Sequence, residues 1–286
     1  MNLSGRSRGT WLGLLLIACT VGVAAEGCST APTGLDRNTW HLLPGHVERL
    51  SVSAFRNGRT CWVYLPPNYA HSSRRYPVLY VQDGELAFDG GMHINRICEA
   101  MIRRGEIQPI IVVAIENGPY PQRYIDYTPW PAGFMPGSEG GGDVYVRAIT
   151  DTLKPIVDER YRTLPGPFDT GITGVSLGGL ISVYAAYASD GTFGKVAAFS
   201  PSYWWSNFHQ FVEARERPAS LYRLYQDSGY PDDNWIGGIQ EILLTKGFTL
   251  GADLMSYTVS GAQHDYPEWE HRIPTMLRFL FPADGS

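Results

Sequence analysis

Residues 168–189 read FDTGITGVSLGGLISVYAAYAS. Phe168 to Val175 is a short, nearly continuous apolar run, the signature of a strand buried on both faces. Leu177 to Ser189 is helix-like and rich in small residues. Between them stands Gly174-Val175-Ser176-Leu177-Gly178, a G-x-S-x-G pattern. A serine on a sharp strand-to-helix turn needs small neighbours, because the strand and the helix run back against each other there. The helix that follows offers unpaired N–H groups and the positive end of its dipole to an anionic intermediate. Ser176 is the candidate nucleophile of this chain.

Outward from this unit, strand-like and helix-like segments alternate. Glu48 to Phe55 alternates apolar and polar residues as a half-buried strand does. Asn57-Gly58 is a hairpin turn signal, and Thr60 to Leu65 returns as a second strand. Tyr76 to Gln82 and Ile110 to Ile115 are buried strands, with a helix expected over His93 to Arg104. A long loop spans Glu116 to Gly142, rich in Pro, Gly, Tyr and Trp. Helical spacing runs from Val144 to Tyr161. Beyond the central unit the expected order is a strand over Val196 to Phe199 and another over Leu221 to Tyr225. A helix over Ile236 to Lys246, a strand over Leu254 to Val259 and a closing helix over Arg272 to Phe281 complete it. A hairpin followed by repeated βα units predicts one α/β domain over residues 46–286, with a mostly parallel central sheet and helices on both faces.

A serine nucleophile needs a base. In α/β hydrolases the chain order is serine, acid, histidine. His264, in Gly261-Ala262-Gln263-His264-Asp265, follows the last strand and is the candidate base. His271 falls in the closing helix, and His209 precedes the strand that should carry the acid. The acid should follow Leu221 to Tyr225, where Asp227, Asp232 and Asp233 all stand; Asp232 is preferred on order and position. Two backbone donors must face the developing oxyanion. Leu177 N–H is one, and Glu85 N–H, in the turn after Tyr76 to Gln82, is the other. The seven histidines show no metal-ligand spacing such as H-E-x-x-H, so metal-dependent hydrolysis is disfavoured.

The net charge of −5 and the absence of any Lys/Arg run give no electrostatic footprint for nucleic acid. The N-terminus has the layout of a secretory signal: Arg6 and Arg8, an apolar stretch from Trp11 to Ala25, and small residues at Val23-Ala24-Ala25. That stretch is short of the roughly 20 residues a membrane span needs. Residues 1–25 are read as a signal peptide or lipoprotein signal of an exported bacterial protein, secreted or envelope-attached. Leu16-Ile17-Ala18-Cys19 resembles a lipoprotein box, and Ala25-Glu26-Gly27-Cys28 resembles it less well, so Cys19 or Cys28 is a candidate lipid attachment point. Residues 26–45 read as a linker. Cys61 and Cys98 remain in the folded region, as a disulfide or as two buried thiols.

Several ordered segments carry a resemblance to a known family: YPVLYVQDGE, IIVVAIEN, RYIDYTP, LKPIVDERYRT, ITGVSLGGL, SPSYWW, LYQDSG and GAQHDYPEWEHRIPTMLRFLFP. Together, over about residues 46–282, they resemble the putative-esterase family, which holds enterochelin (siderophore) esterases, feruloyl and acetyl esterases, and mycolyltransferases. The resemblance implies an α/β-hydrolase fold and a Ser–acid–His triad without metal or cofactor. It places Ser176 as nucleophile, His264 as base and, three residues after Gly229, Asp232 as acid. The position after Asp83-Gly84 matches Glu85 as oxyanion donor. SPSYWW is similar to the siderophore-esterase branch, where the aromatic run lies beside the active site. Tyr203, Trp204 and Trp205 are thus expected to bind substrate or to pack in the core. Arg123 is expected to meet an anionic substrate or Asp126. The substrate implied is a small-molecule or glycan ester. Acyl transfer by the same residues and a non-catalytic cell-surface scaffold are the rival readings.

Overall fold

The computed structural model describes residues 46–88, 90–132, 139–189, 191–229 and 234–283. The signal and linker readings, Cys19, Cys28, Asp232 and Asp233 lie outside them. Among the described residues, no helix is long and apolar enough to cross a membrane.

Eight strands form one sheet: β1 (His46–Val52), β2 (Arg59–Leu65), β3 (Val78–Val81), β4 (Ile111–Ile115), β5 (Thr170–Val175), β6 (Lys195–Phe199), β7 (Arg223–Ser228) and β8 (Leu254–Thr258), in the order β1-β2-β4-β3-β5-β6-β7-β8. β1 pairs antiparallel with β2, and β2 antiparallel with β4; every other pairing is parallel. The hairpin turns through residues 53–58, where Asn57 and Gly58 both take the left-handed region (φ 66° and 67°). The chain is an α/β-hydrolase fold.

The strands predicted from apolar runs are buried along their whole length, as β3, β4, β5 and β6 show. Alternate residues feed two cores. Val78 and Tyr80 of β3 pack with Val113, Ile172, Leu180 and Ile239. Leu79 and Val81 pack on the opposite face with Val112, Met101, Ile273 and Leu277. The helices follow this division: α1 (Gly84–Ala87), α2 (Ile94–Arg103), α3 (Gln122–Asp126), α4 (Gly142–Ala148), α5 (Lys154–Arg160), α6 (Leu177–Ala188), α7 (Phe208–Glu213), α8 (Asn234–Thr245) and α9 (Tyr266–Leu280). A π-helical stretch, Ile149–Leu153, joins α4 to α5. Cys61 belongs to one core and Cys98 to the other, so the sheet separates them. Both are free, buried thiols, and burial pushes Cys61 up to about 12.

Four features differ from expectation. The long loop 116–142 contains α3, and α7 had no periodic signal in its six residues. β7 runs on to Ser228, past the expected end at Tyr225. Asp227 is therefore a strand residue, fully buried, with the Arg272 guanidinium 2.9 Å from its Oδ1 and the Tyr225 hydroxyl donating to its Oδ2 at 2.5 Å. α9 starts at Tyr266 rather than Arg272, because Asp265 caps it by accepting from Glu268 N–H (3.1 Å) and Pro267 occupies the first turn. Pro274 lies inside the helix without ending it.

Candidate active site

The parallel strands all end on one side of the sheet, and the segments that leave those ends carry the predicted chemistry. Ser176 sits between β5 and α6 with φ 57° and ψ −122°, a conformation an L-residue adopts only when its surroundings hold it there. Ser176 N–H donates to Phe199 O (2.9 Å), tying the turn to β6. The two flanking glycines make room. A Cβ on Gly174 would stand 2.5 Å from the Gly178 carbonyl carbon, and one on Gly178 would stand 3.0 Å from Asp83 Oδ2. Gly174→Ala is expected to force the turn open, lowering unfolding stability by about 1–3 kcal/mol and reducing turnover with it; thermal melts and steady-state rates check this.

Sequence reasoning missed Ser202. Its Oγ is 3.3 Å from Ser176 Oγ, and its N–H donates to Ser176 O at 3.1 Å. It is nearly fully buried, within hydrogen-bond reach of the Ser176 hydroxyl. Ser202→Ala removes a neutral hydrogen bond of about 1 kcal/mol. A drop of about fivefold in kcat with KM unaltered is expected in a steady-state assay.

His264 follows β8 and directly precedes the Asp265 cap of α9, with its ring exposed. It meets Trp269 edge-on, centroids 4.9 Å apart. Trp269 Nε1 donates to Ser200 Oγ (3.1 Å), and Ser200 N–H donates to Asp227 O (2.8 Å). The Ser176 turn, the 200–202 segment and the His264 segment are thereby linked through named contacts. The end of β7 joins them: Gly229 passes so near Ala262 that any Cβ there would collide with the Ala262 carbonyl. Asp232 and Asp233, which follow Gly229 in sequence, are outside the described residues. Asp227 itself is spent on Arg272 and Tyr225.

On the other side of Ser176 lies the 83–85 turn. Asp83 is left-handed (φ 56°, ψ 50°) and buried. Arg123 grips its carboxylate with two bonds, Nε to Oδ1 (2.7 Å) and Nη2 to Oδ2 (3.0 Å). The guanidinium expected to meet a substrate or Asp126 is thus engaged by Asp83, while Asp126 pairs with Arg59 at 2.5 Å. The Glu85 carboxyl accepts from Asn117 N–H (2.9 Å) and Nδ2 (2.8 Å). Burial, and then the neighbouring Asp83, raise its pKa, against the pull of Asn117 and of Glu85's own N–H.

The aromatic run divides. Tyr203 and Trp205 are core residues, because their polar atoms find internal partners: Tyr203 OH donates to Gln226 Oε1 (3.1 Å) and Trp205 Nε1 to Trp130 O (3.0 Å). Trp204 reaches the surface. It borders a cavity of about 300 Å³ that is also lined by His209 and Trp235, whose rings meet at right angles. Trp235 escaped sequence analysis because it opens a helix rather than joining the run. Two roomier hollows, of about 470 and 480 Å³, flank β1 and β2 and hold none of the predicted site residues. Among the described residues, no group of three His, Cys, Asp or Glu side chains is placed to hold a metal.

Comparison with known proteins agrees with this architecture. Residues 53–280 match the family model described as "Putative esterase". The chain is 30% identical over 254 residues to the "Uncharacterized protein YbbA" of Bacillus subtilis (strain 168), covering 82% of this chain and 98% of that one. It is 27% identical over 143 residues to the siderophore triacetylfusarinine C esterase of Aspergillus fumigatus, covering 49% of this chain and 48% of that one. Among solved structures, the siderophore hydrolase EstB from Aspergillus nidulans superposes with a TM-score of 0.66 at 20% identity, covering 85% of this chain and 98% of that one. The enterobactin esterase FES from Shigella flexneri gives 0.65 at 19%, covering 83% of this chain and 59% of that one.

Proposed function

The chain belongs to the putative-esterase family and is a carboxylic ester hydrolase, and we propose that it works through an acyl-enzyme on Ser176, with His264 as base and Asp232 as the acid that orients it. The observation that carries this reading is the strained Ser176 turn at the N-terminus of α6, within one contact network of the His264 segment. His264 takes the Ser176 proton as Oγ attacks the ester carbonyl. The N–H groups of Leu177 and Glu85 receive the oxyanion, and His264 returns the proton to the leaving alcohol. Water then repeats the attack and frees the acid.

The substrate is a siderophore-type or carbohydrate-linked ester. Two features support this: the names borne by the relatives, and the exposed Trp204 beside an aromatic-lined cavity. Residues 1–25 direct export, with Cys19 or Cys28 available for lipid attachment. A substrate panel tests the reading: short and medium p-nitrophenyl esters, feruloyl and acetyl sugar esters, and a catecholate siderophore with and without iron. Turnover of one ester class supports it. Absence of turnover on every ester, joined to no reaction with a fluorophosphonate, overturns it in favour of a binding scaffold.

A further inference from the structure

The side chains around residue 83 form a connected cluster whose purpose the two-step mechanism leaves open. α1 is a single four-residue turn, too short to hold its own geometry by internal hydrogen bonds. Its entry residue, Asp83, takes a left-handed conformation without being glycine, which outside contacts must sustain. Four contacts do so. Arg123 engages both carboxylate oxygens, Asn117 Nδ2 donates to Oδ1 at 2.5 Å, and Asp83 N–H donates to Tyr127 Oη at 2.9 Å. Arg123 in turn lies over the Tyr127 ring, 5.2 Å from its centroid.

The carboxylate so held faces the nucleophile's helix. Asp83 Oδ2 would stand 3.0 Å from a Cβ on Gly178, so it is wedged against the first turn of α6, next to Leu177. Both N–H groups assigned to the oxyanion therefore refer to one fixed point: Leu177 through α6, and Glu85 through the turn that Asp83 begins. Asn117 also holds both oxygens of the Glu85 carboxylate, drawing that charge toward the 116–132 segment.

We propose that Arg123, with Asp83 and Asn117, is a positioning device for the oxyanion hole: the guanidinium locks the Asp83 carboxylate so that the Glu85 N–H stays aimed at the reacting carbonyl oxygen. The inference rests on the reading of Ser176 as nucleophile and Glu85 as donor, and it makes Arg123 a positioning residue rather than a ligand of the substrate. A fork-shaped guanidinium suits the task, since two parallel bonds fix orientation where a lysine ammonium fixes only charge. The guanidinium also balances a buried carboxylate that would otherwise oppose the developing oxyanion.

The test uses the full chain and compares wild type with Arg123→Ala, Arg123→Lys and Ser176→Ala. It reads kcat and KM on p-nitrophenyl acetate, and the inhibition constant of phenylboronic acid, whose tetrahedral serine adduct mimics the oxyanion. A misaimed donor costs up to the 10²–10³-fold seen when one is deleted. Arg123→Ala is expected to lower kcat by about 10- to 100-fold, to leave KM within about twofold, and to weaken the boronate in proportion to kcat. Where Arg123→Ala melts below the assay temperature, Arg123→Lys carries the test with a loss of about tenfold in the same two quantities. A rise in KM alone makes Arg123 a substrate ligand and overturns the proposal. Unchanged kcat and boronate affinity overturn it also. If Ser176→Ala turns over like wild type, the nucleophile reading fails first and the proposal falls with it.

Discussion

Ser176→Ala is expected to lower kcat by at least about 10³-fold on any ester the wild type hydrolyses, with the fold and the thermal midpoint retained. The magnitude follows from what the hydroxyl does. The acyl-enzyme route divides ester hydrolysis into two steps that share one oxyanion site, and neither exists without Oγ. On the proposed mechanism, what persists is catalysis by the bound environment, with the N–H groups of Leu177 and Glu85 polarising a carbonyl for direct attack by water. The retained stability follows from the surroundings. The contacts that hold the turn are backbone ones, Ser176 N–H to Phe199 O and Ser202 N–H to Ser176 O, and alanine keeps both. It also relinquishes one side-chain bond, to Ser202 at 3.3 Å. Steady-state rates and a melting curve on the same sample check the two halves together. A variant that loses activity along with its fold says nothing of Oγ, so the paired measurement is needed.

Arg272→Ala is expected to be the most destabilising single change in this region, by about 3–5 kcal/mol, because it leaves the Asp227 carboxylate charged and unpaired inside the protein. For a domain of this size that is a fall of about 10 °C in the midpoint. Arg272 joins β7 to α9, and it also donates to Ser200 Oγ at 3.3 Å, in the segment that leads to Ser202. The wild type should already show the strain in its pH dependence. Burial lifts the Asp227 pKa to about 6, outweighing Arg272, the Tyr225 hydroxyl and the Ser200 N–H. The folded state thus holds this proton more tightly than the unfolded chain, whose carboxyl titrates near the ordinary value of 3.8. The stability contributed by this group is complete below about pH 4 and is lost as pH rises through about 6, an effect on the order of 3 kcal/mol. Removing Arg272 should push that window to higher pH. Denaturant melts from pH 4 to 8 on both proteins measure it; identical profiles would show that Arg272 does not balance Asp227.

The parts of this molecule that local sequence governs were the legible ones. The Ser176 turn is local, since Gly174 and Gly178 must be small for the strand and helix to close on each other. The buried strands are local too, because an apolar run such as Val78–Val81 satisfies both faces of a covered sheet. What sequence concealed depends on distant partners. Asp227 reads as a residue beyond the strand and a candidate acid, whereas it lies inside β7 and pairs with Arg272, far along the chain. Arg123 reads as a partner for nearby Asp126, but Arg59 of β2 claims that carboxylate and leaves Arg123 to Asp83. SPSYWW reads as one aromatic unit, whereas Tyr203 and Trp205 turn into the core and Trp204 turns out. Ser202 carries no pattern of its own; only the folding of the post-β6 segment back over the elbow brings it to Ser176.

The most direct test of the central claim is mass spectrometry of the protein after reaction with a fluorophosphonate, with peptide mapping of the adduct. A serine activated at this turn should gain a single adduct, mapped to the peptide that contains Ser176, and Ser176→Ala should gain none. No adduct on the wild type, or one mapped to a different residue, would contradict the assignment of Ser176 as the nucleophile.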